Sequence, residues 1–231
     1  MNLEPPIFLA LDVDDREQAL SLAEKTKDYV GGFKLGPRLC MRYGAELVQE
    51  VSKYGPVFVD NKYYDIPNTM AYAIRATFDS GASFATVHAL SGEEALTQLS
   101  GLEARLNKIR EFNILVVTIL TSFDESTLPP VHKADPINEQ VDELVKMSID
   151  CGLNKFVCSA HELEKLKAKY PTAWFVTPGI RFPKDEKGDQ KRVMGPKEAM
   201  ALGASGIVVG RPIYEAEDPA LAAKKFLEAV S

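Results

Sequence analysis

Eight short runs of β-type residues alternate with helical patterns from one end of this chain to the other, and that alternation limits the architectures open to it. The candidate strands are residues 7–11, 32–35, 57–60, 84–88, 114–120, 155–158, 174–177 and 206–209. Between and after them lie periodic stretches at 16–27, 38–54, 69–80, 93–110, 138–151, 160–170, 196–202 and 220–230. Leu39, Tyr43, Leu47 and Val51 fall on one helical stripe, and Pro196 and Pro219 stand where first helical turns are expected. Eight strand–helix units filling 231 residues predict a (β/α)8 barrel forming a single domain over 1–231. A doubly wound open sheet, the other α/β solution, ordinarily needs fewer strands. The longest aperiodic stretches are 121–136 and 180–194, and there is no internal repeat.

Composition narrows the function classes. A net charge of −6 argues against a broad nucleic-acid surface, so an anionic substrate would need local basic contacts. The first six residues lack a cationic segment followed by a long apolar run, so no signal peptide is expected. No apolar run approaches the ~20 residues that span a bilayer. Cys40, Cys151 and Cys158 are odd in number and scattered, which predicts neither a disulfide framework nor a zinc site and makes a reducing cytoplasm the expected setting.

Active sites of such barrels lie at the carboxyl ends of the strands. Those positions hold Asp12, Lys34, Asp60 with Lys62, His88, Thr121 with Ser122, Ser159, Arg181 and Gly210-Arg211. The densest segment is Asp60-Asn61-Lys62-Tyr63-Tyr64-Asp65, directly after the apolar run Val57-Phe58-Val59. Strand alternation projects Asp60 and Lys62 into one space, with Asp65 close enough to join them or a neighbouring subunit's copy. Charges so placed are expensive to desolvate unless they pair or do chemistry. Lys34, flanked by apolar residues, needs a carboxylate, and Asp60 is nearest by strand order.

A second feature sits on the last two strands. Thr177-Pro178-Gly179-Ile180-Arg181 and Val209-Gly210-Arg211-Pro212 occupy the two loops that recurrently bind phosphate in this architecture. Glycine lets backbone approach the anion, and guanidinium grips phosphate oxygens in pairs. The charged stretch between them, 182–192, reads either as a solvated loop or as a closing lid that brings Gln190 to the phosphate. Asp12 reads equally as a sugar-hydroxyl ligand or a helix cap. His88 reads as a packing residue before a general base, since nothing near it in sequence orients it. Paired acids could hold a divalent ion, but Lys62 and Lys34 would compete with it, so no metal is expected. The chain has no nucleophile elbow, no His-Glu-x-x-His and no dinucleotide fingerprint.

Taken together, Asp60-x-Lys62-x-x-Asp65-Ile66-Pro67-x-Thr69, Thr177-Pro178-Gly179-Ile180-Arg181, Gly188-Asp189-Gln190 and Gly210-Arg211-Pro212 resemble the orotidine 5′-phosphate decarboxylases of the stand-alone prokaryotic type. The resemblance covers nearly the whole chain. It implies a (β/α)8 homodimer that converts orotidine 5′-phosphate to UMP and CO2, the last step of de novo UMP synthesis, with no metal or organic cofactor. By the same resemblance Lys34, Asp60 and Lys62 form a charged array completed by Asp65 of the other subunit, with Ile66 and Thr69 also reaching across. Lys62 would protonate C6 of the pyrimidine, Asp12 would meet the ribose, and Thr121 and Ser122 the base. Arg181, Gln190, Gly210 and Arg211 would hold the phosphate. Asn61, Tyr63 and Tyr64 depart from the family pattern, which more often carries Leu, an apolar residue and His. Two other readings remain: an Mg2+-dependent sugar-phosphate relative, against which Lys34 and the Ile66–Thr69 continuation argue, and a catalytically silent nucleotide-binding protein.

Overall fold

Strands buried on both faces read as continuous apolar runs, and here one face of each strand packs on helices while the other fills a barrel. The computed structural model describes residues 3–132, 134–183 and 192–231. Eight parallel strands close in sequence order: β1 (Ile7–Ala10), β2 (Gly32–Leu35), β3 (Val57–Tyr63), β4 (Phe84–His88), β5 (Asn113–Val117), β6 (Lys155–Val157), β7 (Trp174–Thr177) and β8 (Gly206–Val209). β1 pairs with both β2 and β8, so no edge is left open. Around them run α1 (Arg16–Thr26), α2 (Pro37–Val51), α3 (Pro67–Asp79), α4 (Gly92–Leu106), α5 (Ile137–Asp150), α6 (Leu163–Lys169), α7 (Pro196–Ala201), α8 (Arg211–Tyr214) and α9 (Pro219–Val230). Among the described residues no helix is long and apolar enough to cross a membrane.

Alternation along each strand sorts the core into two clusters. Ile7, Leu9, Phe33 and Leu35 pack outward under the helices. Phe8, Ala10, Phe58, Phe84, Leu115, Val176 and Val208 point inward, with Val157 and Trp174 against them. The floor is aromatic: Phe8 lies 5.2 Å from Phe58 and 5.1 Å from Phe84 between ring centroids. Gly32 makes room for it, since a Cβ there would stand 3.0 Å from the Phe8 ring and 2.7 Å from the Pro56 carbonyl. Two residues along, on the same face of their strands, stand Lys34, Asp60 and Thr86. The apolar floor thus sets the height at which charge begins.

Several boundaries differ from the sequence expectation for physical reasons. The fifth strand stops at Val117 rather than 120, and the third runs three residues past the expected end at Asp60 to Tyr63, so Lys62 belongs to the strand as well. Their shared orientation does not come from simple pleating. Between the pairs Val59↔Ala85 and Tyr63↔Val87 the third strand advances four residues while the fourth advances two, and Lys62 sits at φ 49°. The first helix is capped by Asp15, whose carboxylate accepts the Gln18 N–H at 2.9 Å; Asp12 is not the cap. Pro196 and Pro219 do open α7 and α9. α8, with Arg211 as its first residue, was not legible in four residues of sequence.

The aromatic floor should dominate local stability. Phe58→Ala should cost about 3–5 kcal/mol by urea denaturation, whereas Met41→Ala, 84% exposed, should change stability by less than about 0.5 kcal/mol. Equal effects would contradict this account of the core.

Candidate active site

Above that floor opens a cavity of about 1140 Å³ lined by Asp12, Lys34, Asp60, Lys62, Thr121, Ser122, Arg181, Gly210 and Arg211. Residues from six strand ends, far apart in sequence, therefore share one space.

Its centre is a carboxylate between two ammonium groups. The Asp60 Oδ2 lies 3.0 Å from Lys62 Nζ and 3.6 Å from Lys34 Nζ. Lys34 also reaches Asp12 Oδ1 at 3.2 Å, closer than Asp60, so it has two acids where proximity in strand order indicated one. The other Asp60 oxygen accepts the Thr86 hydroxyl at 3.0 Å, and the same hydroxyl accepts the Lys62 backbone N–H at 2.8 Å. Burial by itself would raise the Asp60 carboxyl, but Lys34 and Lys62, with hydrogen bonds from Lys62 and Thr86, outweigh it and hold the pKa below its ordinary 3.8. Burial would likewise lower Lys34, and Asp60 and Asp12 outweigh it to hold its pKa above 10.5. Both groups stay ionised across the neutral range. Both lysines line the cavity, and Lys62 is the more accessible, its side chain 38% exposed against 11% for Lys34.

At the opposite side Gly179, at φ 78°, turns the chain out of β7 toward Arg181. The Arg181 N–H donates to the Met194 carbonyl at 3.0 Å, and the Met194 N–H to the Gly179 carbonyl at 3.3 Å, closing the base of that connection. Gly210 lies beside β1, where a Cβ on it would make ordinary van der Waals contact with the Ala10 Cβ at 3.6 Å. Gln190 and Gly188, and most of the 182–192 stretch, lie outside the described residues.

Asp65, Ile66 and Thr69 are not brought into this cavity in the single chain. All three are exposed, and the Asp65 carboxylate accepts the Ile66 N–H at 2.7 Å at the start of α3. Ile66, 67% exposed, lies beside the exposed Tyr64, and on α3 Thr69 and Tyr72 follow at helical spacing. His88 takes a local role: its Nδ1 accepts the Leu90 N–H at 3.3 Å and its ring lies 5.7 Å from that of Tyr64. Burial, then the Lys62 charge, push its pKa down, so it is neutral near pH 7. The atypical Asn61 and Tyr63 face away from the array: Asn61 donates to the Tyr63 hydroxyl, which bonds Thr77 on α3 at 2.8 Å.

Two features escaped the sequence. Thr86 has the strand parity of Phe84 and could have been read as a polar residue facing the barrel interior between Phe84 and His88. Arg192, by contrast, has no local signal. It pairs with Glu162, thirty positions earlier, and donates to the Leu120 carbonyl at 3.3 Å, beside Thr121. Glu162 is recognisable in Ser159-x-x-Glu162 only as a capping box; its second oxygen takes the guanidinium. Cys40, pushed up to about 11 by burial, and the buried Cys158, pushed well above the ordinary thiol value by burial, are thiols rather than nucleophiles at neutral pH. Among the described residues no group of three or more His, Cys, Asp or Glu is arranged to hold a metal ion.

This geometry has close parallels. The family model described as "Orotidine 5'-phosphate decarboxylase / HUMPS family" matches residues 5–226. The orotidine 5′-phosphate decarboxylase of Sphingopyxis alaskensis is 39% identical over 221 residues, spanning 95% of this chain and 96% of that one. That of Carboxydothermus hydrogenoformans is 41% identical over 226 residues, spanning 96% and 94%. The crystal structure of orotidine 5′-phosphate decarboxylase from Lactobacillus acidophilus superposes with a TM-score of 0.85 at 31% identity, covering 98% of this chain and 99% of that one. A match across nearly all of the barrel, with relatives aligned end to end and a superposable solved structure, leaves a single assignment: this chain belongs to the orotidine 5′-phosphate decarboxylase / HUMPS family.

Proposed function

We propose that this chain decarboxylates orotidine 5′-phosphate to UMP and CO2, the last step of de novo UMP synthesis, without metal or organic cofactor. The observation that carries the reading is Lys62 held on Asp60, with Lys34 behind it, in the cavity that also contains Arg181 and Arg211. Relatives near 40% identity bearing the decarboxylase name support it.

When the C6–carboxylate bond breaks, its electron pair stays on C6 and CO2 leaves. The pyrimidine ring cannot delocalise that pair well, so the protein must stabilise it electrostatically. The Lys62 ammonium does so, then gives its proton to C6 and is reprotonated from solvent. Asp60 orients that ammonium and repels the substrate carboxylate, a repulsion relieved as CO2 departs. Unit charges at about 4 Å with an effective dielectric near 20 interact by about 4 kcal/mol. Enzymes lower barriers by roughly 8–23 kcal/mol. Repulsion alone is too small, and the carbanion–Lys62 attraction in a confined site carries the larger share. Arg181 and Arg211 grip the remote phosphate, whose binding energy positions the ring.

The working unit in this reading is a homodimer. Asp65, Ile66 and Thr69 reach the partner's cavity from an exposed apolar face that also includes Tyr64 and Tyr72. Each site is then completed by an acid its own chain cannot supply.

The primary test is loss of orotidine 5′-phosphate ultraviolet absorbance with purified protein in EDTA; no loss, or loss only after Mg2+ is restored, sinks the metal-free reading. Lys62→Ala should abolish turnover while UMP still binds, and substantial residual activity would remove Lys62 as proton donor. Arg211→Ala should weaken UMP binding about 10- to 100-fold, the loss expected for a charge-assisted phosphate contact. Mixing Lys62→Ala with Asp65→Ala protein should restore turnover, because a hybrid dimer has one intact site; no recovery in demonstrated hybrids means Asp65 acts within its own chain.

A further inference from the structure

The left-handed backbone of Lys62 has an unusual support. Among the described residues it is the one non-glycine with positive φ. L-residues avoid that region because Cβ crowds the carbonyl, so it persists only where surroundings hold it. Lys62 also sits where β3 and β4 fall out of register, between Val59↔Ala85 and Tyr63↔Val87. Its N–H points to a side chain instead, the Thr86 Oγ1 at 2.8 Å.

That hydroxyl is fully buried and has one proton. With its lone pairs it accepts from the Lys62 N–H, and with its proton it donates to Asp60 Oδ1 at 3.0 Å. Asp60 Oδ2 is thereby left to face the Lys62 ammonium at 3.0 Å. One hydroxyl thus fixes both ends of the lysine: its peptide directly, and its ammonium through the carboxylate.

We propose that Thr86 is a positioning residue for the reaction, locking the Lys62 backbone and the Asp60 carboxylate so that the ammonium stands where C6 must be protonated. This rests on Lys62 as proton donor. The role is independent of substrate affinity, because Arg181 and Arg211, the groups assigned to the phosphate under that reading, stand on the seventh and eighth strand loops rather than on β3 or β4. Removing the hydroxyl leaves a buried carboxylate oxygen and a backbone N–H without their partner, and the lysine free to turn away.

The test compares Thr86→Val, which keeps shape but not the hydroxyl, with Thr86→Ser, which keeps the hydroxyl, and with Thr86→Ala. Rates are expressed per site titrated with UMP, so that unfolded protein does not count. Thr86→Val and Thr86→Ala should lower kcat about 10- to 100-fold with KM changed less than about threefold, and Thr86→Ser should recover kcat to within about threefold of the unaltered enzyme. Thr86→Ala is read in the same way if Thr86→Val yields no UMP-binding sites. Unchanged kcat in the hydroxyl-less variants, equal losses in Thr86→Ser and Thr86→Ala, or a loss confined to KM would overturn the proposal. If the unaltered protein itself fails to consume orotidine 5′-phosphate, the decarboxylase reading fails. If it is active and Lys62→Ala is not, while Thr86→Val matches it, only the positioning role falls.

Discussion

A buried carboxylate between two ammonium groups is the constraint around which the upper half of this barrel is organised. Asp60 alone at that depth would take up a proton, because burial disfavours its charge; Lys34 and Lys62 reverse the outcome. Lys34 in turn tolerates burial only because Asp60 and Asp12 face it. None of the three can be removed singly without leaving an uncompensated charge, which is the costly way to break a buried pair. The aromatic floor beneath supplies the dry side of this arrangement. The bulge in the third strand supplies the geometry that lets an acid and a base two residues apart touch.

The cavity joins two kinds of chemistry at a distance. One wall carries the charged array from the first four strands; the other carries guanidinium groups beside glycine turns from the seventh and eighth. Such a division suits a substrate whose reacting carbon and anionic handle are separated, since affinity generated at the handle can hold the ring against the array. Between the walls, the Glu162–Arg192 pair ties the chain returning from β7 to the segment carrying Thr121. The two halves are therefore linked through part-buried contacts as well as through the barrel.

The alternation of eight apolar runs with amphipathic stretches made the barrel legible, because strands covered on both faces and helices covered on one leave different periods in the chain. Strand ends were legible to within a few residues, and Asp12, Lys34, Asp60, Lys62, Arg181 and Arg211 were found by asking what lay there. The extent of β3 was not. A bulge depends on register with a neighbour more than twenty residues away, and nothing between Asp60 and Tyr63 announces it. Asp12 and Asp15 are both capping types, and only the Gln18 N–H decides between them.

What the sequence determined unaided was the set of groups: an acid and a lysine on the third strand, a lysine on the second, glycine-arginine turns on the last two, and spacing that forces them to one rim. Tertiary structure decided which of those groups touch. Lys34 meets Asp12 more closely than Asp60, and Thr86 bridges Asp60 and the Lys62 peptide. The reason is physical. Periodicity is a local property of the chain, carried by neighbouring residues, whereas hydrogen-bond partners in a closed parallel barrel come from adjacent strands separated by a helix, and their distances exist only once the barrel has shut.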